Sequence, residues 1–375
     1  MKIKTATVTW ISWNNYGSYL QAYALQRIIT SMGYDNAIIS DERIVYPHSS
    51  ITSGAVPFFK RVYIFFRRRL RRLSIHEQKT AEINKRFLHF KKHFLVIENA
   101  FQKAEELDER YDIFIAGSDQ IWVPTEDVFR PFYYLNFSQK KKISYAVSLN
   151  SAGEYPESFK QRVSNLLQDF SYISVREESG KVLLGSFIDK PIEVCLDPTL
   201  LLTPSEWDFL VSGKRARKKT YLLCYFLSYN KTFLEFARKY ADEHHLHLMF
   251  IANDERYRYY ADSLLAAGPC EFISAVKEAS FILTDSFHGT VFSILYKKEF
   301  LTLKRFRGNC GSNQNERLKN LFSITGITGH FADEEDINEL ISPRPINYEG
   351  VAKRINFERE KSLAFLQNAL NGGKE

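Results

Sequence analysis

Cysteine is scarce and scattered. Cys195, Cys224, Cys270 and Cys310 stand singly in 375 residues, and no Cys-x-x-Cys pair occurs. That spacing signals neither a zinc site nor a disulfide framework, and it fits a reducing compartment. Long apolar runs are lacking too: no stretch approaches the roughly 20 residues that cross a bilayer. Met1-Lys2 leads into an alternating segment, Thr5 to Ile11, rather than a secretory leader. The glycines form no Gly-x-Gly-x-x-Gly fingerprint and no Walker sequence, which argues against a nicotinamide dehydrogenase and a P-loop enzyme. Internal repeats and low-complexity tracts are absent. The chain reads as cytoplasmic, at most peripheral on a membrane.

What is present is an ordinary globular composition, 45% hydrophobic and 25% charged, at a length that suggests two domains. The net charge of +7 is concentrated. Lys60-Arg61, Arg67-Arg68-Arg69 and Arg71-Arg72 lie in one aromatic-rich stretch, while acids and bases nearly balance elsewhere. Arginines mixed with aromatics over residues 58–73 suit an anionic membrane surface. A solvated helix face is the plainer reading, and no nucleic-acid motif accompanies the patch.

Hydrophobic periodicity alternates between strand and helix. Lys4 to Ile11 reads as a strand, followed by a turn and a helix from Ser18 to about Met32, stopped by Gly33. Tyr34–Ile39, Tyr111–Ala116, Lys142–Leu149, Tyr172–Val175 and Glu193–Leu196 read as further strands, with helices over residues 58–95 and 157–169. After Pro204 the pattern restarts with strands at Thr220–Phe226, Leu246–Ile251, Phe281–Thr284 and Phe300–Leu303. Helices are expected at 230–243, Glu271–Ala279, Thr290–Tyr296 and 351–370. Two α/β units with parallel strands follow, with a cleft at the C-terminal strand ends.

Four loops at such ends carry candidate chemistry. In Thr284-Asp285-Ser286-Phe287-His288-Gly289-Thr290, a strand gives way to a histidine, a glycine and a helix start. The helix amides suit a phosphate, and His288 beside them can exchange a proton near neutral pH. A histidine satisfying a loop hydrogen bond is the alternative. In Gly117-Ser118-Asp119-Gln120-Ile121-Trp122, Asp119 is a candidate base and Trp122 a candidate stacking platform for a sugar ring, against a capped turn with a packing tryptophan. Arg176, closing Ser174-Val175-Arg176, can clamp a carboxylate or phosphate bidentately, unless Glu177 and Glu178 merely pair with it at the surface. Asn14-Asn15-Tyr16-Gly17-Ser18 is either an anion or acceptor loop or a simple strand-to-helix turn.

Taken in order, several segments resemble one family, the polysaccharide pyruvyl transferases. They are Asn15-Tyr16-Gly17 with Leu20 to Gln26, Ala116 to Trp122, Ser144-Tyr145-Ala146-Val147-Ser148, Val175-Arg176-Glu177, Leu196-Asp197-Pro198-Thr199 and Thr284 to Thr290. The resemblance spans about residues 5–325. It implies two Rossmann-like domains in a glycosyltransferase-B-like arrangement: 1–203 on the acceptor side, 204–345 on the donor side, and a helix in 346–375 returning to the first domain. It also implies phosphoenolpyruvate as donor, a sugar or lipid-linked oligosaccharide as acceptor and a cyclic ketal as product; no metal-ligand cluster is visible in the sequence, so no metal or cofactor is expected.

By that resemblance His288 sits at the donor and Arg176 contacts it, flanked by Ser286, Phe287, Gly289 and Thr290. Some relatives carry an arginine two positions before the histidine, where this chain has Ser286. Arg176, Lys304, Arg305 and Arg317 are the candidates to neutralise the donor in its place. The acceptor side would comprise Asn14, Asn15, Tyr16, Gly17, Gln120, Trp122 and Ser148. Two other readings share the architecture: a glycosyltransferase using a sugar nucleotide, and a non-catalytic glycan- or membrane-binding accessory protein.

Overall fold

The computed structural model describes residues 2–11, 13–39, 75–101, 103–123, 129–149, 156–211, 220–305, 315–337 and 345–372. The basic stretch 58–73 lies outside them. The first unit comprises β1 (Lys4–Val8), α1 (Tyr16–Ser31), β2 (Asp35–Ile39), α2 (Ile75–Phe94), β3 (Ile97–Glu98), β4 (Ile113–Asp119), β5 (Lys141–Val147), α3 (Glu157–Leu167), β6 (Phe170–Val175), α4 (Glu178–Gly185) and β7 (Ile192–Val194). After α5 (Pro204–Asp208) come β8 (Tyr221–Tyr225), α6 (Lys231–Glu243), β9 (His247–Ile251), β10 (Ser263–Leu265), α7 (Pro269–Glu278), β11 (Phe281–Thr284), α8 (Phe287–Leu295), β12 (Glu299–Leu303), α9 (Asn315–Thr325), β13 (Phe331–Ala332) and α10 (Tyr348–Asn371).

Two sheets form, ordered β3-β2-β1-β4-β5-β6-β7 and β10-β9-β8-β11-β12-β13. Every pairing is parallel. The central strands, such as β4, β5, β8 and β11, are buried on both faces, which is why they read as near-continuous apolar runs. In each sheet the strand order reverses beside the first strand, between β1 and β4 and between β8 and β11. A crevice opens at such a reversal, beyond the carboxyl ends of the strands.

One apolar cluster runs through both units. Tyr16 of α1 stacks on Phe272 of α7 at 4.8 Å and gives its hydroxyl proton to the Ala267 carbonyl. Trp207 of α5 contacts Tyr23 on one side and Phe292 of α8 on the other. Helix α10 crosses back to the first sheet. There Phe365 meets Tyr145 and Tyr172, Ser362 accepts from the Leu196 amide, and Asn371 accepts from Tyr34. Among the described residues no helix is long and apolar enough to cross a membrane.

Candidate active site

Helix α8 begins at Phe287, three residues before the periodicity suggested, because Ser286 caps it. The Ser286 hydroxyl accepts from the Gly289 amide at 3.3 Å. Gly289 lies so close to β11 that a Cβ there would come within 2.3 Å of the Thr284 hydroxyl. His288 therefore projects from the first turn. The amides of Phe287 and His288 donate to no described backbone carbonyl, while the Gly289 amide, expected to face a phosphate, is taken by the cap. Thr290 is a brace between Ser286 and Thr302 and is fully buried.

The His288 ring is wedged between the two units. On one side it lies against Gly17 at the start of α1, where a Cβ would fall 1.9 Å from Nδ1. On the other, Nε2 stands 3.3 Å from Oδ2 of Asp197. Asp197 is fully buried in the turn after β7. Its other oxygen accepts from the amide and hydroxyl of Thr199. Oδ2 also lies 2.9 Å from Nη2 of Arg176. Burial by itself would raise the Asp197 pKa, but the Arg176 and His288 charges prevail and hold it well below the usual carboxylate range.

Arg176 extends from the end of β6 and is 3% exposed. Its Nη2 also donates to Ser118 at 2.6 Å, while Nε and Nη1 find no hydrogen-bond partner among the described residues. Arg317 of α9 is 8% exposed, and both guanidinium groups lie 5.4 Å from the centre of the Phe287 ring. Burial, and then the charge of Arg176, lower the Arg317 pKa to about 10. Two buried cations thus flank the Phe287 ring beside His288. The other two candidates have acidic neighbours of their own. Lys304 pairs with Asp333 at 2.9 Å, and Arg305 sits near Asp285, whose carboxylate holds the amides of Leu227 and Ser228.

The turn after β4 lies against Arg317. The Gln120 amide oxygen, turned toward Arg317, accepts from that guanidinium at 3.1 Å. Asp119 has φ 77°, a left-handed conformation that aspartate tolerates. Its Oδ2 accepts from Ser18 at 2.5 Å and its Oδ1 from the backbone N–H of Gln120. Beyond that turn lies a second hollow of about 190 Å³, lined by Trp10, Trp13, Asn15, Ser18, Asp119 and Gln120. It opens where β1 and β4 diverge. Trp10 and Trp13 stand nearly perpendicular, at 86° and 6.4 Å between ring centres.

Several residues expected on the acceptor side have partners within the protein. Trp122 is 1% exposed, stacks on Tyr134 at 5.1 Å and gives its indole proton to the Tyr133 carbonyl, so no ring face is left for a sugar. Tyr16 is spent on the domain contact described above. Ser148 is fully buried and donates to Glu177 at 2.9 Å. Asn14 donates to Asn84 on α2. Asn15, rather than Ser18, caps α1 by accepting from the amides of Gly17 and Ser18. Asn15 also lines the hollow, whereas Gly17 serves as clearance for His288.

Asp197, Trp10 and Trp13 are the site-forming residues that sequence reasoning passed over. An aspartate before Pro-Thr marked a turn, but its ionic partners lie on β6 and α8. Among the described residues, no group of three or more His, Cys, Asp or Glu side chains gathers in metal-binding fashion.

Comparison with known proteins agrees with this fold. Among solved structures, the S. aureus MnaA–UDP co-structure aligns with TM-score 0.55 at 12% identity, covering 100% of this chain and 98% of that one. A putative UDP-N-acetylglucosamine 2-epimerase from Listeria monocytogenes aligns with TM-score 0.54 at 11% identity, with the same coverage. At such identities the likeness is one of fold: two parallel-sheet α/β domains in a glycosyltransferase-B-like arrangement. No curated protein matches the chain. The family model for polysaccharide pyruvyl transferase matches residues 15–305, from the α1 cap through β12, and the chain belongs to that family.

Proposed function

We propose that the chain moves pyruvate from phosphoenolpyruvate to two hydroxyls of a glycan sugar as a cyclic ketal, acting in the cytoplasm in surface polysaccharide biosynthesis. The observation that carries this reading is the pair of buried guanidinium groups around Phe287, with Nε and Nη1 of Arg176 lacking hydrogen-bond partners among the described residues. Desolvated donors and neighbouring like charges are costly unless an anion completes them. Phosphoenolpyruvate carries about three negative charges, roughly two of them on a phosphate ester. The free amides opening α8 add a dipole of the right sign.

In the proposed reaction His288, held by Asp197, protonates the methylene carbon of the enol phosphate, and C2 becomes electron-poor. A sugar hydroxyl bonds to C2 as its proton passes to Asp119. A second hydroxyl then bonds to C2 as its proton passes to His288, left neutral by the first step, and phosphate departs with the electron pair of its C–O bond. Arg176 and Arg317 balance the charge on the leaving group. The test combines calorimetric titration with phosphate release. Phosphoenolpyruvate should bind where UDP-sugars do not, and His288→Ala should lower phosphate release at least a hundredfold with donor binding retained. Tight UDP-sugar binding with no response to phosphoenolpyruvate would turn the reading toward a glycosyltransferase.

A further inference from the structure

The hollow between β1 and β4 adjoins the pair of buried cations without including either of them. Gln120 touches Arg317 on one side and lines the hollow on the other, and Asp119 stands beside it. We propose that this hollow is the acceptor subsite and takes one uncharged pyranose ring, its apolar face on Trp13 and a pair of hydroxyls at Asp119. The proposal rests on the pyruvyl-transfer reading for the reaction but not for the sugar binding.

Three observations support it. Trp13 is 71% exposed, the counterpart of the buried Trp122, and it meets Trp10 edge-on to make an open aromatic corner. The C–H groups on one face of a pyranose carry slight positive charge, and an indole face carries negative charge, so such a corner fits a sugar ring. The polar lining is Asn15, Ser18, Asp119 and Gln120, a carboxylate with neutral donors and acceptors and no cation. A uronate or sugar phosphate would face Asp119 with no cation in the lining, Arg317 lying behind Gln120, whereas a neutral hexose or N-acetylhexosamine offers hydroxyl protons to it. The volume of about 190 Å³ lies below the roughly 300–1,000 Å³ of pockets for drug-sized ligands, so one ring enters and the rest of a glycan stays outside.

The test is a fluorescence titration of the full chain with methyl glycosides: neutral hexosides, N-acetylhexosaminides and glucuronides. Neutral glycosides should saturate a change in tryptophan emission that is lost in Trp13→Ala and kept in Trp13→Phe. In turnover, Trp13→Ala should raise acceptor KM at least tenfold, with the KM for phosphoenolpyruvate unchanged within twofold. The subsite is overturned if no neutral glycoside changes the emission, if Trp13→Ala leaves the change intact, or if glucuronides bind as well as neutral sugars. Phosphoenolpyruvate binding without any sugar response would sink this inference and spare the transfer reading. A saturable sugar response with no effect of phosphoenolpyruvate would do the reverse.

Discussion

Gly17 and His288 touch across the domain seam with no space between them for one further carbon atom. The residue that opens the first helix of one unit thereby sets where the histidine of the other can sit. A methyl group at position 17 must displace the imidazole, and with it the approach to Asp197. Gly17→Ala should destabilise the protein by roughly 1–3 kcal/mol through overpacking. The double variant Gly17→Ala/His288→Ala should regain most of that loss. Urea unfolding of the four proteins measures the coupling; strict additivity would mean that the two residues do not meet.

Asp197 should link stability to pH. Its folded-state pKa is depressed, so its contribution is present above the unfolded carboxylate value of about 3.9 and fades as pH falls below it. Asp197→Asn leaves Arg176 buried beside a neutral amide and should cost roughly 3–5 kcal/mol at neutral pH. The deficit relative to wild type should narrow in acid. Thermal melts of both proteins from pH 3 to pH 7 would show it, and a difference independent of pH would contradict the assignment.

Arg317 should trade stability for binding. Its pKa is depressed toward about 10, so holding the proton costs more in the folded than in the unfolded chain, and that penalty is present at neutral pH. Arg317→Met should therefore melt no lower than wild type without ligand. The gain in Tm from saturating phosphoenolpyruvate should fall by more than half. A variant that melts much lower, yet keeps the full gain, would assign Arg317 to the framework alone.

Trp13 and Trp122 of the first domain should separate cleanly. Trp122→Ala removes a fully buried ring and should cost about 3–5 kcal/mol of stability. Trp13→Ala removes an exposed one and should stay within about 0.5 kcal/mol of wild type. Chemical denaturation of both variants decides this, and comparable losses would place Trp13 in the core.

Much of the fold was legible in the chain. The strand Phe281–Thr284 was read to the residue, and the other major strands differ only at their ends. The short edge strands Ser263–Leu265 and Phe331–Ala332, and helix α9, escaped because segments so short or so polar carry little periodicity. Helix α8 was placed three residues late, since Phe287-His288-Gly289 looks like a loop until Ser286 is seen to cap it.

The sequence by itself determined two α/β units, the loops at their strand ends, and the types of side chain those loops carry. Each of these depends on periodicity and local turn chemistry, which act over a few residues. Tertiary structure alone decided that Asp197 holds both Arg176 and His288, that Arg317 and not Lys304 joins them, and that Trp13 and not Trp122 faces the open hollow. Those outcomes follow from which crevices the two parallel sheets present to each other. Burial and charge pairing between residues far apart in the chain leave no periodic trace.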